Sequence, residues 1–329
     1  MGMLVDGAWT EQQLIPRTAD GAFKRRPSSF RSWITADGSA GPSGDSGFKA
    51  ESGRYHLYVS YACPWAHRTL ILRALKNLTP HISVSVVHAD MFDKGWTFDD
   101  SIEGATGDTL MGKDFAYEIY QAADPKVTTR VTVPILWDKQ RQTIVSNESS
   151  EIIRMFNSAF NELTGNTLDF YPSDLRAEID AINERTYPGL NNGVYRSGFA
   201  TTQSAYDQAV GEVFDTLDWL EGILSTRRYL AGDRVTEADW RVFPTLARFD
   251  QVYVGHFKCA RNKLIEFPNL WAYTRELFQW PGVAETVNME HIRQHYHGSH
   301  ESINPHRILP IAQQIDWHAP HGRDALSAA

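Results

Sequence analysis

Between Tyr55 and Val87 the chain changes its hydrophobic period twice. Tyr55-His56-Leu57-Tyr58-Val59-Ser60 is aromatic and β-branched, the content of a strand. His67-Arg68-Thr69-Leu70-Ile71-Leu72-Arg73-Ala74-Leu75 repeats its apolar residues at helical spacing. Ile82-Ser83-Val84-Ser85-Val86-Val87 alternates and predicts a second strand. Strand, helix and strand in this order make one βαβ unit, so this part of the chain reads as α/β.

The pattern continues as ββα. Arg130-Val131-Thr132-Val133-Pro134-Ile135-Leu136-Trp137 predicts a strand, Asp138–Gln142 a turn, and Thr143-Ile144-Val145-Ser146 its hairpin partner. A helix opens at Asn147-Glu148-Ser149-Ser150 and runs through Phe156. The stretch 88–126 is looser, with a helix expected over Lys113–Ala122. From about Asp174 the strands stop. Helical spacing recurs over Leu175–Tyr187, Tyr206–Leu224, Ala238–Phe249 and Leu270–Leu277. Thr236-Glu237-Ala238-Asp239 has the form of a capping box. Residues 1–52 read as irregular, and the Gly- and Ser-rich stretch Ala36–Gly53 as a loop long enough for an arm or lid. The tail 298–329 also reads as irregular. The expected organisation is an arm over 1–52, an α/β domain over 53–160 and an all-helical domain over 170–329.

A length of 329 residues suits two domains at roughly 150 residues each. The net charge is −8, and no run of five basic residues occurs. Nucleic acid and anionic membrane surfaces are therefore not the expected partners. No apolar run approaches the ~18–20 residues of a spanning helix. The opening MGMLVDGAWTEQQL lacks the pattern of a secretion signal. Only Cys63 and Cys259 are present, which excludes a disulfide framework and an all-thiolate metal site. A reducing cytoplasm fits that usage.

Cys63 stands where the first strand gives way to the helix. Pro64 suits a first helical turn, where its missing N–H costs nothing. A thiol at a helix N-terminus meets free N–H groups and the positive end of the dipole, and both favour thiolate. Ala66 stands where a Cys-x-x-Cys pair would carry its second thiol. A mixed disulfide on Cys63 would then be released by an external thiol. The plain alternative is a buried cysteine packed as a small hydrophobe. In thioredoxin-like folds, the order read here, a cis X-Pro bond faces the reactive cysteine. Val133-Pro134 is placed for that role, its backbone N–H and C=O turned to an extended peptide. An ordinary edge proline is the alternative. Glu148-Ser149 at a helix start offers a carboxylate for an ammonium, and N–H groups with a hydroxyl for a carboxylate. Those are the two ends of an α-amino acid group, as in a γ-glutamyl peptide, although simple capping would use the same residues.

Cys63-Pro64-Trp65-Ala66-His67-Arg68-Thr69, Gly95-Trp96-Thr97-Phe98, Arg130-Val131-Thr132-Val133-Pro134 and Val145-Ser146-Asn147-Glu148-Ser149 together resemble the glutathione transferase superfamily. With Asn191-Asn192-Gly193-Val194-Tyr195 and Arg248-Phe249-Asp250 through Tyr253, the chain is similar to the glutathionyl-hydroquinone reductases, the Xi class, over nearly its whole length. The resemblance implies a thioredoxin-like βαβ-ββα domain followed by an all-helical one. It implies Cys63 as nucleophile and Trp96, Arg130, Val131, Thr132, Val133, Pro134, Glu148 and Ser149 as the glutathione site. Tyr195 is implied as proton donor and acceptor at the substrate, with Tyr253 and Tyr296 directing hydroxyls to the thiol. Glutathione is the implied co-substrate, a glutathionyl-hydroquinone the implied substrate, and a homodimer the implied assembly. A general glutathione transferase or thiol transferase, of dehydroascorbate-reductase type, is the competing reading.

Cys259, in His256-Phe257-Lys258-Cys259-Ala260, reads as structural. His291, His295, His297 and His300 cluster, and the first two share a helical spacing that can hold a metal. Without a His-Glu-x-x-His motif or a nearby cysteine, the expectation is polar packing and no metal.

Overall fold

The computed structural model describes residues 2–11 and 17–326; parts of the expected arm (12–16) and tail (327–329) lie outside the described residues. The chain forms two compact units. One takes in Met1–Ile15, Arg26–Leu168 and Glu285–Ser299, and the other Pro16–Arg25, Asp169–Ala284 and His300–Ala329.

In the first unit the βαβ element consists of β3 (Tyr55–Val59), α1 (Pro64–Leu75) and β4 (Ser83–Val86). It follows β1 (Met3–Val5) and β2 (Ala8–Thr10) and precedes the small hairpin β5 (Met91–Phe92) and β6 (Gly95–Trp96). Then come α2 (Ala116–Ala123), β7 (Thr129–Arg130), β8 (Ile135–Asp138), β9 (Thr143–Ser146), α3 (Ser149–Ser158) and α4 (Asn161–Thr164). The central sheet has the order β4-β3-β8-β9. β3 and β4 are parallel, as a βαβ unit requires, while β3–β8 and β8–β9 are antiparallel. All five residues of β3 are buried, so the strand lies at the centre of the core. His56, opposite Ser83, is held between the Ser83 and Ser85 hydroxyls at 2.7 and 2.9 Å. Burial lowers its pKa to about 4. α1 and α3 pack on each other, and α2 packs on β6 and β9.

Three expectations are corrected here. Residues 1–52 are not wholly irregular: β1 pairs with β2 and, on its other side, with β7. The cause is local. Asp6 and Gly7 both have positive φ, 47° and 75°, and make a two-residue turn between apolar triplets. At Gly7 a side chain would also collide with the Pro125 carbonyl. The Arg130–Trp137 strand is interrupted, because Pro134 has no N–H for a ladder. Its first part is β7, paired with β1, and its second is β8, paired with β3. The helix expected from Lys113 starts at Ala116, since the Glu118 carboxylate takes the Asp114 and Phe115 N–H groups at 3.0 and 2.9 Å and closes the chain there.

The second unit is helical: α5 (Arg176–Thr186), α6 (Gly193–Gly198), α7 (Gln203–Leu224), α8 (Glu237–Arg248) and α9 (Pro268–Phe278). The capping box at α8 is formed, with Asp239 accepting from the Thr236 N–H at 2.7 Å and from its hydroxyl at 3.1 Å. Two π-helical turns interrupt the pattern, Tyr187–Asn191 ahead of α6 and Phe249–Tyr253 after α8. The last helix, α10 (Met289–Ser299), belongs to the first unit, not with the 170–284 residues it follows in sequence. After it, the described tail is irregular apart from a short turn at Arg323–Leu326.

Candidate active site

Cys63 is the N-cap of α1, with φ −77° and ψ 118°, and Pro64 opens the helix. The turn before it is fixed locally. The Ser60 hydroxyl accepts from the Ala62 N–H at 3.1 Å, and the Ser60 carbonyl from the Cys63 N–H at 3.2 Å. The Cys63 side chain does not cap the helix. Its half-buried Sγ instead lies 3.4 Å from the Val133 carbonyl, to which it donates. The Val133-Pro134 bond is cis. Ala66 is fully buried, and neither cysteine is in a disulfide.

The backbone beside Val133 is held by a polar network. The buried Tyr120 hydroxyl donates to the Thr132 carbonyl at 2.8 Å and accepts from Asn147 Nδ2 at 3.0 Å. Asn147 Oδ1 takes the Phe30 N–H at 3.1 Å, so the chain at 28–32 runs beside β9 as an added edge. Glu148 follows as the N-cap of α3. Its Oε1 accepts from the Ser150 N–H at 3.1 Å and hydroxyl at 2.8 Å, and its Oε2 from the Ser28 hydroxyl at 3.0 Å. Burial pushes this carboxyl up. The Ser150 and Ser28 hydrogen bonds and the Arg68 charge outweigh it, leaving the pKa below the usual carboxylate value. Ser149 opens α3 and is 3 % exposed. Arg68, 2 % exposed, lies over the Trp65 ring at 4.6 Å. The Ser150 and Ser28 hydrogen bonds and the Arg68 charge thus favour an anion at Glu148, suited to an ammonium.

Trp96, at the end of β6, is buried and stacks on His295 of α10, with centroids 4.7 Å apart and planes 20° apart. The His295 Nδ1 is tied to the Ala89 carbonyl at 2.8 Å, which sets the ring. Tyr296 is 1 % exposed and meets His295 edge-on at 5.3 Å. Arg130 is half-buried on β7, opposite Met3. His291 faces a different carbonyl, that of Glu103, at 2.7 Å. Among the described residues no group of three or more His, Cys, Asp or Glu is arranged to hold a metal ion.

Tyr195 and Tyr253 belong to the second unit and lie together there. Their centroids are 6.3 Å apart, and Phe257 stacks on Tyr253 at 5.5 Å and tilts against Tyr195 at 5.3 Å. Both tyrosines sit at the π-turns. Tyr195 follows the first and Tyr253 ends the second, whose wide step is the Val254 N–H bond to the Phe249 carbonyl at 3.0 Å. Cys259 is fully buried, and burial pushes its thiol up to about 12. It is inert at neutral pH.

Ser28, Arg68, Tyr120 and Asn147 are not singled out by spacing, and His295 stands out only as one of a histidine cluster expected to pack as polar side chains. Arg68 and Asn147 fall inside quoted motifs. Ser28, on the arm, carries no local signal, and the stacking of His295, on the last helix, against Trp96 arises only through tertiary contact.

The comparisons with known proteins agree with this geometry. The model of the glutathione S-transferase N-terminal domain matches residues 62–159, and that of the C-terminal domain residues 203–276. The chain is 55% identical to the glutathionyl-hydroquinone reductase YqjG of Escherichia coli, covering 98% of this chain and 99% of that protein. It is 51% identical to the glutathionyl-hydroquinone reductase PcpF of Sphingobium chlorophenolicum, over 94% and 96% of the two chains. Among solved structures, glutathione-bound YqjG superposes with a TM-score of 0.92, at 54% identity over 98% of this chain and 99% of that one. The Xi-class transferase of Natrialba magadii also gives 0.92, at 49% identity over 99% and 98%. With a thioredoxin-like first part, a helical second part and this degree of identity end to end, the chain belongs to the glutathione S-transferase family and, within it, to the glutathionyl-hydroquinone reductases of the Xi class.

Proposed function

We propose that this protein reduces glutathionyl-hydroquinones to hydroquinones at the expense of glutathione. The observation that carries the reading is Cys63. Its half-buried thiol stands at the N-cap position of a helix and lies against the Val133 backbone, and alanine stands where a resolving cysteine would be. The Cys63 thiolate attacks the sulfur of the glutathionyl group. The carbon–sulfur bond to the ring breaks, the electron pair leaves with the ring carbon, and Tyr195 supplies that carbon with its proton. Cys63 is left joined to glutathione by a disulfide. A second glutathione thiolate attacks that disulfide, giving oxidised glutathione and regenerating Cys63.

In this reading Glu148 holds the γ-glutamyl ammonium and Ser149 the adjoining carboxylate. Trp96 and the Arg130–Pro134 segment carry the rest of the tripeptide, with the Val133 backbone pairing to it. Tyr253 and Tyr296 serve the thiol, as the family resemblance implies. Cys63→Ser is expected to abolish turnover; appreciable activity in that variant removes the nucleophile assignment. The competing reading, general conjugation of glutathione to electrophiles, is separated by assaying a chlorinated aromatic beside a glutathionyl-hydroquinone. Activity with the first alone would favour it.

The assembly is proposed to be a homodimer, as the resemblance implies, and a mass in solution equal to a single chain would refute it. No helix among the described residues is long and apolar enough to cross a membrane. A glutathione-supplied, reducing cytoplasm is the proposed setting.

A further inference from the structure

Residues 17–25 of the arm belong to the second unit and are tied down there. Phe23 is buried, with its ring 5.7 Å from that of Phe199. The Thr201 N–H and hydroxyl each donate to the Gly21 carbonyl at 3.3 Å, and the Thr202 hydroxyl donates to the Asp20 carbonyl at 2.8 Å. The segment ends at Arg25. Its guanidinium carbon is 5.1 Å from the centroid of the Tyr195 ring, and its Nε donates to Asn192 Oδ1 at 2.8 Å. Asn192 lies three residues before Tyr195, so the same cation grips both the start of α6 and the aromatic ring it presents.

We propose that Arg25 is a positioning residue for the Tyr195 phenol: laid over the ring and tied to Asn192, its guanidinium fixes the plane of the ring and favours the phenolate left after proton transfer. The proposal rests on the reading of Tyr195 as the proton donor. The phenol O–H bond breaks as the leaving ring carbon takes the proton, and the phenolate recovers a proton from solvent before the next turnover. A cation over an aromatic face attracts the ring, and attracts it more strongly once the ring carries a negative charge. Tyr253 packs beside Tyr195, and the histidine pair His256 and His300 lies behind the aromatic rings that pack on it. The pair is joined at 3.0 Å, and His300 packs on Phe199 and Phe257. Arg196, next in sequence, is closed onto Glu212. In this arrangement the Tyr195 phenol is tuned by an arginine some 170 residues earlier in the chain.

The test is an ultraviolet phenolate titration of the whole protein. Subtracting the Tyr195→Phe curve from wild type isolates one phenol among 13 tyrosines. The same subtraction is made between Arg25→Gln and the double variant Arg25→Gln/Tyr195→Phe. Removing the cation is expected to raise the Tyr195 titration by about half a pH unit, about threefold in acid constant. Arg25→Lys, which keeps the charge without the flat guanidinium, is expected to fall between, and it carries the test if Arg25→Gln does not fold. The alkaline limb of kcat should move with the titration while KM for glutathione stays unchanged. An unmoved titration in the Arg25 variants, with low turnover in Tyr195→Phe, overturns this proposal alone. Wild-type turnover in Tyr195→Phe is the failure of the donor reading and removes the catalytic part of the proposal with it.

Discussion

Glu148 is half-buried, and the groups around it favour its charged form. Two Ser150 donors, the Ser28 hydroxyl and the Arg68 charge together outweigh the cost of burial. Its pKa is lower folded than unfolded, so the anion persists to lower pH in the folded chain than in the unfolded one. The stability it contributes is present above the unfolded value and is lost as pH falls through the folded one. Glu148→Gln keeps the shape and removes the charge. It is expected to raise KM for glutathione by roughly tenfold or more, the worth of a charged hydrogen bond, with the Cys63→Ser-sensitive chemistry intact. An unchanged KM would take Glu148 out of the glutathione site. The two cysteines make a second contrast at this scale. Cys259 is fully buried with its thiol pushed up to about 12, whereas Cys63 is half-buried. Native protein near pH 8 should therefore take up one alkylating group per chain, at Cys63, and a second only in denaturant. Peptide mapping that finds Cys259 labelled in the native state would contradict the packing described. Cys63, Val133, Glu148 and Ser149 were legible in the sequence because each sits at a junction of elements, where a cap or a proline leaves a mark. Ser28 was not, because a hydroxyl on an irregular arm has no local pattern.

The elements were legible wherever a period ran long enough. β3, α1, β4, β9, α7 and α9 fall within a few residues of expectation. What escaped was short or broken. The Asp6-Gly7 hairpin was a readable turn signal inside a stretch judged irregular, and Pro134 divided an apolar run that looked continuous. The two π-turns have no signature in spacing, since a single i→i+5 step only displaces the helical phase that follows. Thr236→Ala removes the hydroxyl that Asp239 accepts at the start of α8 and should cost about 1–2 kcal/mol; denaturant midpoints read it, and no change would mean the cap is replaceable. His56 bridges β3 and β4 as a neutral ring with a folded pKa of about 4. Below its unfolded pKa the unfolded chain takes a proton that the folded chain refuses. Stability is therefore present above about pH 6.5 and declines as pH falls toward 4. His56→Gln should flatten that decline, and an unaltered acid slope would mean other groups set it.

On the scale of the whole molecule, sequence order and compact units do not coincide. Residues 285–299 return to the first unit and 17–25 join the second. Helix α10 supplies the His295 ring on which Trp96 stacks, about 200 residues further along the chain, so the proposed glutathione side of the first unit is incomplete without that helix. A chain ending at Ala284 is expected to lose retention on immobilised glutathione even where its α/β sheet still forms. Full retention would show that α10 gives Trp96 no support. The family itself was readable because its motifs are distributed over both units. The crossing of the termini was not, since nothing in a helical repeat says which core it will join.

In the proposed cycle Cys63 carries the glutathionyl group between the two steps. The direct measurement is the intact mass of the protein mixed with a glutathionyl-hydroquinone in the absence of free glutathione. The expected result is hydroquinone released in amounts equal to the enzyme, and a mass increased by one disulfide-linked glutathione that maps to Cys63 and vanishes when glutathione is added. Hydroquinone released while the protein mass stays unchanged would contradict it.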